Sequence, residues 1–330
     1  QGSALLQRLP PGAVVAVPLH HVSQTLLERN LRLVAKLTLD LRDVHRVAQV
    51  VAEAVLHAVH VRPVLAGRVE QELRERVPLP DLPEPTPPEP GPKHAIIISM
   101  TNQKGGVGKT TSTINLGAAL AETGRRVLLV DFDPQGSLSV GLGVNPHNLD
   151  QSIYNLLLSR EYSFDEIVLS TATEGMDLLP ANIDLSAAEV QLVSEVAREQ
   201  SLKRVLDRIR DRYDFILIDC APSLGLLTVN ALTASDKVII PLECEFFALR
   251  GVALLTDTIS KVIDRLNPDL EMIGILATMY DSRTLHSREV LQRVLEAFGD
   301  GVFHTVIRRT VKFPETTVAG EPITSYAPTS

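Results

Sequence analysis

After residue 93 the hydrophobic residues gather in short unbroken runs, with looser spacings between them. HAIIISM (94–100), RVLLVDF (126–132), FILIDC (215–220), KVIIPL (237–242), MIGILATM (272–279) and FHTVIR (303–308) are rich in β-branched residues and lack polar alternation. Runs of this kind predict strands buried on both faces. Stretches 110–123 and 248–266 instead carry helical periodicity. Strands alternating with helices predict an α/β fold, a mostly parallel twisted sheet with helices on both faces.

Before residue 93 the pattern differs. Residues 78–92, PLPDLPEPTPPEPGP, are more than half proline and read as a semi-rigid linker. The linker divides the chain into an extension (1–77) and a single domain (93–330). Within the extension, DVHRVAQVVAEAVLHAV (43–59) sets Val44, Val47, Val51, Ala54 and Val55 on one helical face, and Leu26, Leu27, Leu31 and Val34 hint at an earlier helix. The segment reads as a poorly defined helical or non-native extension. His57 and His60 could share a face, but no carboxylate or cysteine completes a metal set. The first methionine is Met100, so the beginning is expected to be a fragment or a conceptual translation.

Composition narrows the function classes. A net charge of −8 excludes bulk basicity, so nucleic-acid binding must come from a local patch. The only cysteines, Cys220 and Cys244, point to a reducing, cytoplasmic setting. No run approaches the roughly 20 apolar residues of a membrane span.

The strongest chemical signal is TNQKGGVGKTT (101–111), between the first strand and the first helix. Glycines let backbone amides converge on phosphate oxygens, and the helix N-terminus adds its dipole. The run Lys104, Gly105, Gly106, Val107, Gly108, Lys109, Thr110 and Thr111 is therefore the expected nucleotide contact. Lys109 supplies a point charge for the β- and γ-phosphates of ATP, and the Thr110 hydroxyl can ligate Mg²⁺. The general pattern asks for glycine five residues before Gly108, where this chain has Gln103. Asp131 and Asp133 lie at the carboxyl end of the second strand, where open α/β sheets bind ligands. Asp219 closes the apolar run FILID and is placed near Mg²⁺. Cys220 beside it reads as a small buried residue.

Together NQKGGVGKTT, VDFDPQGS, LLPANIDLSAAE, IDCAPSLGLLTVNALTASD, PLECEFFALRGV, ILATMYDSRT and TVIRRTVKFPET resemble the ParA/Soj family of DNA-partitioning ATPases, from about residue 94 to 330. The resemblance implies that Lys104 is the family's signature lysine, reaching the partner's phosphates in an ATP-bound sandwich homodimer. It implies that Asp133 orients the attacking water and that Asp131 supports the Mg²⁺ shell with Thr110 and Asp219. It further implies non-specific DNA binding, with Arg283, Arg309 and Lys312 as contacts. A ParB-type centromere-binding partner would stimulate hydrolysis, and the location would be cytoplasmic and nucleoid-associated. Two departures stand out: the chain ends at SYAPTS, where relatives continue into a closing helix, and residue 308 is arginine where many relatives have proline. Two other readings remain open. A MinD-like membrane-associated ATPase needs a basic amphipathic C-terminal helix. A P-loop amide synthase needs a substrate domain, often with a glutaminase cysteine.

Overall fold

The computed structural model describes residues 94–245 and 248–327. The expectations for the extension and the linker fall outside them. Strands β1 (Ile96–Met100), β2 (Val127–Phe132), β3 (Leu169–Ser170), β4 (Met176–Leu179), β5 (Phe215–Cys220), β6 (Lys237–Glu243), β7 (Glu271–Tyr280) and β8 (Val302–Arg308) form one sheet. Their order is β3-β4-β2-β5-β1-β6-β7-β8. Every neighbouring pair is parallel except β3 with β4, which is antiparallel at the edge. The apolar runs predict six of these strands. β3 and β4 go unpredicted: β3 has two residues, and β4, MDLL, is interrupted by a half-buried Asp177 that accepts a hydrogen bond from the Tyr213 hydroxyl.

Helices α1 (Lys109–Glu122), α2 (Ser137–Gly141), α3 (Leu185–Gln191), α4 (Leu226–Ala234), α5 (Ala248–Arg265), α6 (Leu285–Phe298) and α7 (Lys312–Ala319) surround the sheet, with further short helices between them. Alternation along each strand sends side chains to two cores. On one face Leu129, Leu217, Ile98 and Met100 pack with Leu116 and Leu120 of α1. On the other, Leu128, Val130, Ile216 and Ile218 pack with Leu227 and Ala231 of α4 and with Leu185 of α3. Beyond β1, Val238, Ile240 and Leu242 meet Val252, Leu255, Ile259 and Val262 of α5, a three-four spacing that keeps one helical stripe inward. Burying each such side chain stabilises the fold by roughly 1.5–3 kcal/mol.

Register places the chemistry. β5 lies between β2 and β1, and Asp219 pairs level with Asp131 on one side and Met100 on the other. Both aspartates share the parity of Leu129 and Leu217, so both face α1.

Candidate nucleotide site

The glycine loop leaves β1 and enters α1 through Gly108, whose φ of 85° is the left-handed region open to glycine. Neighbouring strands pin it. Asn102 Nδ2 donates to Pro241 O at 2.7 Å, Asn102 Oδ1 accepts from Lys104 N at 3.0 Å, and Thr278 Oγ1 donates to Val107 O at 2.8 Å. Val107 is buried under the loop, while Gly105 and Gly106 stay exposed at its crest. Lys109 is buried and its Nζ donates to Lys104 O at 3.2 Å. Burial lowers its pKa against the opposing pull of the Asp219 carboxylate.

Thr110 Oγ1 donates to Asp219 Oδ2 at 2.6 Å, bringing these two predicted metal residues together. Asp219 is buried, and its Oδ1 has no hydrogen-bond partner. Burial, then the nearby Asp131 carboxylate, raise its pKa well above the usual carboxylate range. A buried carboxylate oxygen without a donor, next to a threonine hydroxyl, suits a hard divalent cation with oxygen ligands. Among the described residues no group of three or more His, Cys, Asp or Glu converges on a metal position. The Thr110 and Asp219 oxygens fit Mg²⁺, which takes one or two protein ligands with phosphates and water.

Asp131 does something the sequence did not reveal. It is fully buried, and Oδ2 accepts from Ser139 N at 2.8 Å and Ser139 Oγ at 2.7 Å, while Oδ1 accepts from Asp133 N at 3.3 Å. Burial raises its pKa to about 6 against these hydrogen bonds. Asp131 thus ties the loop after β2 to α2, and that loop carries Asp133. Asp133 is half-buried and its Oδ1 accepts from Gln135 N at 3.0 Å. The turn closes at Gly136, φ 63°, where an added Cβ would lie 2.6 Å from Pro146 Cγ and 3.3 Å from Ala181 O. Gly136→Ala should therefore destabilise the fold by about 1–3 kcal/mol through overpacking and a left-handed alanine. Urea denaturation measures this, and an unchanged midpoint would show that the loop relaxes freely.

A cavity of about 300 Å³ opens beside the loop. Gly108, Thr111 and Ser112 form one wall, Thr278 and Met279 another, and Arg308 to Thr310 with Phe313, Pro314 and Thr317 of α7 the third. Met279 has φ 51°, and the β7–β8 register shifts between Ala277 and Tyr280. The irregularity falls in the wall formed by Thr278 and Met279. The cavity joins loops distant in sequence, which no local motif signals.

The three basic candidates cluster at the carboxyl ends of β7 and β8, each beside an acid. Arg283 is 88% exposed in its side chain and forks onto Asp281 at 2.9 and 2.8 Å, holding that carboxyl down at about 2. Lys312 Nζ donates to Glu315 at 2.9 Å. Arg309 Nη2 donates to Glu243 Oε1 at 3.1 Å, so it belongs to the nucleotide side as much as to an outer surface. Lys104 Nζ donates to Glu243 and Glu245, carboxylates that the sequence reading did not single out.

Residues 95–272 match the family model described as an AAA domain. An uncharacterised protein of Mycobacterium tuberculosis is 64% identical over 247 residues, covering 74% of this chain and 78% of the relative. The chromosome-partitioning ATPase Soj of Treponema pallidum is 51% identical over 229 residues, 69% of this chain and 89% of the relative. Among solved structures, cobyrinic acid a,c-diamide synthase from Mycobacterium smegmatis with bound ADP and magnesium is similar at 46% identity and TM-score 0.63. That match covers 68% of this chain and 91% of the other.

Proposed function

The chain belongs to the ParA/Soj family of partitioning ATPases, within the ParA/MinD superfamily, and on that premise we propose that it partitions chromosomal or plasmid DNA by an ATP-gated cycle. It is an ATPase that uses ATP and Mg²⁺. The observation that carries the reading is the meeting of Lys109, Thr110 and Asp219 at the mouth of the glycine loop, with Thr110 and Asp219 2.6 Å apart.

In this reading the amides of residues 104–111 cradle the phosphates and Lys109 binds the β/γ pair. The base enters the cavity between Thr111 and α7. Thr110 and Asp219 hold Mg²⁺, which neutralises phosphate charge, and Asp131 supports that shell while fixing the loop. Asp133 orients water in line with the γ-phosphate, a positioning role. Lys104 reaches the partner's phosphates in a sandwich dimer. The dimer binds DNA without sequence preference, and a ParB-type partner triggers hydrolysis and release. The location is cytoplasmic, on the nucleoid.

Arg283, Arg309 and Lys312 would contact DNA phosphates by exchanging their acidic neighbours for phosphate oxygens, so affinity should fall steeply with salt. Arg283→Glu with Lys312→Glu is expected to abolish ATP-dependent DNA binding, while hydrolysis stays measurable. In milder variants, Arg283→Ala and Lys312→Ala, the slope of log affinity against log salt should drop by roughly 2 per chain. A wild-type slope would move the patch elsewhere.

One observation favours a second reading: the 46% identical solved protein bears an amide synthase's name. Both cysteines here are buried, and burial pushes both thiols up, that of Cys244 to about 12. Neither resembles an exposed glutaminase nucleophile. Amide formation from a small carboxylic acid, ATP and ammonia would nonetheless establish that reading. A membrane role is the other competitor. No helix among the described residues is long and apolar enough to cross a membrane, and ATP-dependent sedimentation with anionic liposomes tests for peripheral attachment.

A further inference from the structure

Lys104 stands directly before the exposed glycines of the loop, and its half-exposed ammonium is held by carboxylates of its own chain. Nζ donates to Glu243 Oε2 at 2.9 Å and to Glu245 Oε2 at 2.6 Å. Both carboxylates come from the end of β6 and the turn after it. The Glu243 side chain is only 11% exposed, and its other oxygen accepts from Arg309 at 3.1 Å. Two cations and two anions thus close into a neutral cluster. The lysine's backbone is anchored to the same strand end, through Asn102 to Pro241 O. Burial alone would lower the Lys104 pKa, but the hydrogen bonds it donates to Glu245 and Glu243, together with the charges of those carboxylates, outweigh burial and raise it.

An ammonium committed to two carboxylates of its own subunit is not available to a second subunit's nucleotide. We propose that Glu243 and Glu245 are positioning residues that clamp Lys104 in cis, and that ATP-driven dimerisation proceeds by breaking this clamp. The proposal rests on the reading of Lys104 as the lysine donated across the dimer. Release would leave Glu243 and Glu245 with Arg309 as the cluster's remaining cation, one net negative charge. The phosphates of the partner-bound nucleotide must offset that cost. Because the dimer is symmetric, each dimerisation breaks two clamps, and any weakening of the clamp counts twice in the association constant.

The test is sedimentation velocity on the full chain with Mg²⁺ and a slowly hydrolysed ATP analogue, over a range of protein concentrations. Glu245→Gln alters a half-exposed side chain and keeps its volume, so it leaves the core alone. Half-exposed ion pairs bias an equilibrium by a few-fold each. Glu245→Gln should therefore strengthen the dimer by about threefold or more, and Glu243→Gln with Glu245→Gln by about tenfold or more. The same pair of changes in a Lys104→Ala chain should leave it monomeric. Unchanged or weaker dimerisation in the Lys104-containing variants overturns the clamp. So does a gain that survives Lys104→Ala, which would mark simple relief of repulsion between subunits. A different failure is recognisable by itself: if Lys104→Ala alone dimerises like the unaltered chain, the trans role of the lysine is wrong, whatever the glutamine variants do.

Discussion

Lys109→Ala is expected to lose ATP binding by a factor on the order of 10²–10³, the equivalent of one or two charge-assisted hydrogen bonds. Lys109 is the buried cation of the loop, with the Asp219 and Asp133 carboxylates near it and Asp131 beside Asp219. Without Lys109 a polyphosphate would meet carboxylates with loop amides as its main compensation. The folded chain itself should tolerate the change. The Lys109 Nζ donates to one backbone carbonyl, Lys104 O, and burying the ammonium already carries a desolvation cost. Lys109→Arg should not restore affinity, because a planar guanidinium does not fit a pocket built for a compact ammonium. Titration with a fluorescent ATP analogue, alongside a thermal melt, reads both halves. Near-native affinity in a folded Lys109→Ala chain would remove this residue from the phosphate site.

Asp133→Ala should separate binding from turnover. Its carboxylate stands at the turn after β2, bonded to Gln135 N, while phosphate and metal contacts are assigned to Lys109, Thr110, Asp219 and the loop amides. The variant is therefore expected to bind ATP, dimerise and remain on DNA. Hydrolysis should fall by about 10²–10⁴-fold, even with a ParB-type partner added. Asp131→Ala should behave differently, because it removes the acceptor of Ser139 N and Oγ and frees the whole loop. That variant should lose stability and Mg²⁺-dependent binding together. Two measurements decide: ATP turnover, and DNA retention after free ATP is removed. Wild-type turnover, or wild-type dissociation from DNA, would falsify the assignment of the water-orienting carboxylate to Asp133.

The parallel strands and the glycine loop were legible in sequence because their signals are local. FILIDC and RVLLVDF can hardly avoid being buried strands, and each carries an aspartate as its second-to-last residue. β4 was illegible because its burial depends on pairing with β2, and Asp177 masks the apolar run. The link from Asp131 to Ser139 spans eight residues through a turn whose geometry no spacing rule supplies. Glu243 and Glu245 stand inside the quoted stretch PLECEFFALRGV, yet their meeting with Lys104 crosses 139 and 141 residues and needs β1 beside β6. The cavity wall from Arg308 to Thr317 likewise depends on β8 lying beside β7, with the strand irregularity at Met279 between them. Pattern reads what one segment does; the site also contains what neighbouring segments do to each other.

The level pairing of Asp131 with Asp219 has a consequence for how this chain can vary. A one-residue insertion or deletion inside β5 would turn Asp219 away from α1 and bring Ile218 or Cys220 round to the phosphate side. The same slip would drive Asp219 into the apolar layer now filled by Ile216 and Ile218, and expose Leu217 to the wrong neighbours. A chain with a misaligned Asp219 would then be a chain that folds poorly, and such chains are removed by proteolysis. Selection for a sound interior polices the chemistry at no further cost. The length of β5 should accordingly tolerate less change than the loops on either side of it.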